Sequence, residues 1–171
     1  MVSWRATAPH LKFTRPADNQ LMGTGTLHTF KINADYEVAN RKGTLVAQRR
    51  FKTLYTHQSY AYANPDSPDT PVTLTWTSDS GFTTWDFVCS DERMRPLAKY
   101  SARLWGLKKI GIIEFMDDRE LTDAARDEIV VTGMTLFYCM YLRVNSIFSL
   151  FGAVFSKPGK GGHAVQSGSQ V

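Results

Sequence analysis

The sequence predicts a mostly β protein with one long helix. The arrangement expected is a closed antiparallel barrel of about twelve strands around a central apolar C-terminal helix. Three observations carry this. From Trp4 to about Phe115, short runs rich in Val, Thr, Tyr and Phe alternate with turn residues. From Asp123 the pattern becomes helical, and apolar residues such as Ile129, Val131, Met134, Leu136, Phe137 and Tyr141 fall on every side. A helix apolar all round must be buried or lie in a membrane, and in water a curled sheet can enclose it.

The elements follow in order. Leu27, Phe30 and Ile32 lie in a run after Gly23 and Gly25. Asn40–Gly43 is a turn signal between Tyr36–Ala39 and a long strand-like stretch, Thr44–Tyr62. Asn64–Pro71 holds three prolines and two aspartates and reads as a loop. Val72–Trp76 and Phe82–Cys89 flank Asp79-Ser80-Gly81, a hairpin signal. Asp91–Arg95 is the next turn. Ala98, Tyr100, Ala102 and Leu104 then alternate with polar residues at the spacing of a half-buried strand, and Lys108–Phe115 is the last strand. Thr122 or Asp123 can cap the helix, whose first turns carry Asp127 and Glu128, acids suited to the positive end of its dipole. Gly133 and Thr132 suit a crowded interior.

The division expected is a barrel with its central helix over 1–143, an apolar extension over 144–156 and a Gly- and Ser-rich disordered tail over 157–171. The lumen should end at Tyr141 or Leu142, because Arg143 would otherwise bury a charge. Ile147, Leu150, Phe151 and Val154 form one apolar stripe beyond it, either a surface for self-association, a partner or a membrane, or a segment that folds back on the barrel's outside. A competing reading makes 129–155 a tail anchor. Against it, Ile129–Leu142 is only fourteen uncharged residues, where a span needs about 20.

At 171 residues the chain can bury a core without staples, and its two cysteines, Cys89 and Cys139, exclude a disulfide scaffold. Both read as free thiols, Cys139 buried in the helix and Cys89 partly exposed at a strand end. With no apolar h-region in Met1–Phe13 and no N-x-S/T acceptor, the expected location is cytoplasmic, peripheral at a membrane. His10, His28, His57 and His163 have no metal-ligand spacing, so no metal or cofactor is expected. Gly23-Thr-Gly25 lacks the third glycine and helix of a dinucleotide fingerprint. Asp117, Asp118 and Glu120 read as a solvated acidic loop.

The formal net charge is +4. Arg41–Lys52 carries five basic residues without an acid, and Arg93–Lys109 carries six. The candidate anion- or lipid-binding residues are Arg41, Lys42, Arg49, Arg50, Lys52, Lys99, Arg103, Lys108 and Lys109. The expected partner is an anionic membrane lipid or an acidic protein. Phe51, Tyr55, Tyr100 and Trp105 are explained by barrel packing, which leaves nucleic acid disfavoured.

Trp85-Asp86, Arg95-Pro96-Leu97-Ala98, Gly111-Ile112-Ile113-Glu114 and Asp127–Gly133 together resemble the tubby C-terminal-like domain, in its fungal form of unknown role. The resemblance covers roughly residues 4–143. It implies a closed barrel around a C-terminal helix. Related members bind phosphoinositides through basic residues or act at membranes, as the phospholipid scramblases do; the plant LURP-one-related proteins also belong. The function expected is therefore a non-catalytic module that presents a basic face to anionic lipid. An enzyme with an unrecognised site is the further alternative.

Overall fold

The computed structural model describes residues 1–28, 31–49, 52–62, 70–80, 84–103, 111–116 and 121–155, with side chains except at 79, 80, 84, 103 and 145–155. Ten strands precede one helix: β1 (Val2–Trp4), β2 (Leu11–Thr14), β3 (Leu21–Leu27), β4 (Ala34–Val38), β5 (Arg41–Ala47), β6 (Leu54–Ser59), β7 (Val72–Ser80), β8 (Thr84–Ser90), β9 (Pro96–Arg103), β10 (Gly111–Phe115) and α1 (Asp123–Phe155). Each strand pairs with the next, antiparallel, in a single meander.

Alternation sets the inner face. Leu11, Phe13, Leu27, Tyr36, Leu45, Tyr55, Leu74, Trp76, Phe87 and Tyr100 are buried, while their neighbours Lys12, Thr24, Glu37, Thr75 and Lys99 face outward. The helix lies against this inner face. Positions two apart on a helix are about 200° apart, on nearly opposite sides. On one side, a Cβ at Gly25 of β3 would come 2.5 Å from Thr135 Oγ1. On the other, a Cβ at Gly133 would come 2.7 Å from Trp76 Cη2 of β7. Phe137, one turn after Gly133, meets the rings of Trp85 and Tyr100. The sheet therefore curls around α1 and touches it from both sides.

The structure has the expected β-rich architecture with ten described strands in place of about twelve. Among the described residues β1 and β10 pair on one side only, so the expected closed barrel is not seen; closing a sheet requires a tilt and stagger that bring its two edges into register.

Several local expectations shift. The turn read at Asn40–Gly43 is tighter: Ala39 (φ 48°) and Asn40 (φ 63°) alone connect β4 to β5, and positive φ at both is the signature of the hairpin turn whose twist matches the strands. Gly43 lies inside β5, opposite Tyr36. Thr44–Tyr62 divides into the ends of β5 and β6, closed by the Gln48 amide donating to the Leu54 carbonyl. Asp79 and Ser80 extend β7 to pair with Asp86 and Trp85. The turn after β8 forms as expected. Asp91 is its hub, accepting from the Arg93 and Arg95 amides at 2.9 Å each and from Arg95 Nε at 2.8 Å.

The helix starts where its signals place it, with Thr122 Oγ1 accepting from the Ala125 amide at 3.2 Å. It runs unbroken to Phe155. Cys139 is the last wholly buried residue described, and Tyr141 and Leu142 are each already 40% exposed. The enclosed part thus ends slightly before the expected limit. Arg143 turns back and donates to Tyr55 Oη at 3.0 Å, which gives its charge a polar partner. Ile129, Val131 and Leu136, the start of the tail-anchor segment, are fully buried in the sheet's interior. Among the described residues no helix is long and apolar enough to cross a membrane.

Candidate functional site

The nine basic candidates do not form one patch. Arg41 starts β5, with its guanidinium 5.2 Å from the centre of the Tyr60 ring. Arg49 and Lys52 are exposed in the connection beyond the far end of β5, roughly 20–26 Å along the strand at ~3.3 Å per residue. Register brings acids to the two acid-free stretches. Lys42 lies opposite Glu37 on β4. Lys99 lies opposite Glu114 on β10, and its Nζ is 3.1 Å from Asp86 Oδ2. Arg103 ends β9 opposite Thr84, and its side chain is outside the description. Arg50, Lys108 and Lys109 lie outside the described residues, as do Asp117, Asp118, Glu120 and His163.

A different grouping emerges at the end of the sheet nearest the C-terminal half of the enclosed helix. Here β1 ends, β3 passes to β4 and β5 passes to β6. A cavity of about 350 Å³ opens there, lined by Trp4, Ala6, His10, Leu27, His28, Cys139, Leu142 and Arg143. Its walls are positioned by specific bonds. Trp4 stacks on His10 with ring centres 5.6 Å apart. His10 Nδ1 accepts from the Leu27 amide at 3.1 Å, so the ring hydrogen sits on Nε2. His28 Nε2 is 2.8 Å from Asp35 Oδ2. Burial alone would raise the Asp35 carboxyl, but bonds from Thr44 and His28 outweigh it and hold it below its ordinary value. Tyr55 Oη receives Arg143 and reaches the Ile32 carbonyl at 3.2 Å, which ties the guanidinium to the wall. The exposed cations Arg5, Lys31, Arg49 and Lys52 occupy the connections at this same end.

A second polar cluster lies inside. Glu128, on the first turns of α1, places Oε1 3.4 Å from His57 Nε2 and 3.5 Å from Tyr36 Oη. His57 is 3% exposed and Glu128 6%. Burial first, and the Glu128 charge second, push the Tyr36 hydroxyl well above its ordinary value. Glu128 is therefore no solvated acid of a helix start; it is buried, accepts from the Tyr36 hydroxyl of β4 and lies beside the His57 ring of β6. Cys89, expected to be partly exposed, is fully buried, and burial together with the Glu128 and Asp91 charges raises its thiol. Cys89 shares the inward parity of Trp85 and Phe87, which fixes its burial. Such a thiol is a poor nucleophile at neutral pH. Among the described residues no three His, Cys, Asp or Glu side chains converge as metal ligands would.

Sequence reasoning missed the cavity. Trp4 and His10, His28 and Arg143 come from three separate parts of the chain and share no motif. Alternation did carry a signal for His57, which has the inward parity of Tyr55 and Ser59. No protein-family model matches the chain, and neither a curated protein nor a solved structure matches it.

Proposed function

We propose that the chain is a non-catalytic binding module that docks on an anionic surface, a membrane lipid headgroup above all, with the cationic end of its sheet. The observation that supports this is that Arg5, Lys31, Arg49 and Lys52, all exposed, fall in connections at one end of the sheet, the end at which a cavity opens whose lining holds no carboxylate. Surface attraction of this kind contributes about 1 kcal/mol per basic residue and decays within a Debye length. The tubby-like resemblance points to the same class of ligand. Its closed barrel belongs to the same proposal, supported by the curl that puts β3 and β7 on opposite sides of α1.

The experiment is flotation with phosphatidylserine- or phosphoinositide-containing vesicles at low salt. Wild-type protein should float, and reversal of Arg49, Arg50 and Lys52 to Glu should reduce floating at least several-fold with an unchanged circular dichroism spectrum. A wild-type protein that stays at the bottom, or a triple variant that floats equally, overturns the proposal. Binding to an acidic protein without vesicle binding would do the same.

A further inference from the structure

The cavity beside Arg143 has a chemistry that a flat charged surface does not need. One wall is apolar: Trp4, Leu27 and Leu142. Arg143, His10 and His28 add hydrogen-bonding groups held on a fixed frame. Arg143 is anchored through Tyr55 Oη, and His10 has its Nδ1 committed to the Leu27 amide, which leaves the Nε2 hydrogen as its donor. His28 also lines the space, held by Asp35, the acid that stands behind it rather than in the lining. At about 350 Å³ the space is at the small end of ligand pockets, which run from about 300 to 1,000 Å³. A guanidinium on the wall disfavours a purely hydrocarbon guest, because an apolar group there would desolvate the charge without replacing its hydration. Trp4, Leu27 and Leu142 in turn offer nothing to a bare inorganic anion.

We propose that this cavity binds a small amphipathic anion: one hydrocarbon or aromatic body ending in a single carboxylate or phosphate group. The anionic end is received by Arg143 and His10, through charge-assisted and neutral hydrogen bonds respectively. The body packs against Trp4, Leu27 and Leu142. This site requires no vesicle and does not depend on the surface-docking proposal. The Arg49, Arg50 and Lys52 variant leaves its lining untouched, so the two ideas fail separately.

The test is calorimetric titration of the full chain with monomeric decanoate, decyl phosphate, decanol and inorganic phosphate. One or both of decanoate and decyl phosphate should bind with one site per chain. Decanol should bind at least about 10-fold more weakly, and inorganic phosphate should give no heat; a charge-assisted bond is strong enough for such a ratio. Arg143→Met should bring the anions down to the decanol level while leaving decanol unchanged. Ala6→Trp, at an exposed position on the lining, fills the space from the surface and should abolish binding of every tailed probe; it remains informative if Arg143→Met fails to fold. The proposal is overturned if neither tailed anion binds the wild-type chain, if Ala6→Trp binds them as well as wild type, or if a folded Arg143→Met retains full affinity.

Discussion

Adding a single methyl group at Gly133 reports whether the helix is truly enclosed. On an exposed helix face, Gly→Ala stabilises by about 1 kcal/mol through helix propensity. Here the new Cβ would lie 2.7 Å from Trp76 Cη2 and 3.1 Å from Cζ2. The nearer contact falls about 0.8 Å short of an ordinary carbon–carbon separation. Trp76 is 0% exposed, so the indole has no solvent beside it to swing into. Overpacking of this kind costs about 1–3 kcal/mol, which outweighs the propensity gain in most of that range. Gly133→Ala should therefore destabilise by about 1 kcal/mol, and Gly133→Leu by 3 kcal/mol or more. Urea unfolding followed by tryptophan fluorescence gives both values. A double-mutant cycle sharpens the test: Trp76→Phe removes the ring atoms that would be struck, so Gly133→Ala should become neutral or stabilising in that background. A stabilising Gly133→Ala in the otherwise wild-type chain would show that α1 does not pack against β7, and the reasoning would fail.

Three further outcomes are expected. Ala39 holds a φ of 48°, a conformation Asn tolerates far better than Ala, so Ala39→Asn should raise stability by about 0.5–1 kcal/mol, seen as a higher melting temperature. Glu128→Ala removes the buried acceptor of the Tyr36 hydroxyl and leaves a void beside His57, and should cost about 1–3 kcal/mol in denaturant unfolding, the range for a buried polar group that loses its partner. Burial tends to raise the Asp91 carboxyl, but the bonds from Arg95 and Arg93 hold it below its ordinary value. A depressed folded-state value contributes stability that is complete above the ordinary carboxylate value of about 3.9 and is lost as pH falls through the folded value. Asp91→Asn should thus be less stable than wild type at pH 7, with the gap narrowing toward pH 2; a constant gap would count against the assignment.

What could be read from the sequence was local. The helix start at Thr122, the turn at Asp91–Arg95 and the inward positions of β7 to β9 all follow from residues within a few positions of each other. The all-round apolar helix announced enclosure, and Gly133 against Trp76 gives that expectation a contact. What was not legible is set by register between strands distant in sequence. Nothing in Arg41–Lys52 says that Glu37 will stand opposite Lys42, and nothing in Arg93–Lys109 says that Lys99 will sit between Asp86 and Glu114. The cavity is a starker case. It needs the β1 end, the β3–β4 connection and the helix surface at Cys139–Arg143 to meet, and no periodicity encodes such a meeting. Strand breaks were also obscure where propensity is uniform. Thr44–Tyr62 is β-prone throughout, and its division at Gln48–Leu54 comes from the hairpin's own hydrogen bond.

The order of the chain carries a consequence for how this protein is made. Its strands are laid down in the sequence in which they pair, each beside the one before, so the sheet can zip up from the amino terminus as it is synthesised. The element those strands wrap around comes last. Until residues 129–139 have left the ribosome, Tyr55, Trp76, Phe87 and Tyr100 have no helix to cover them. The nascent sheet thus spends most of its synthesis with an open aromatic face and unpaired edges, the condition under which chains associate wrongly. A chain halted just short of α1 should collect in the insoluble fraction or on a chaperone, and completion of about five helical turns should release it.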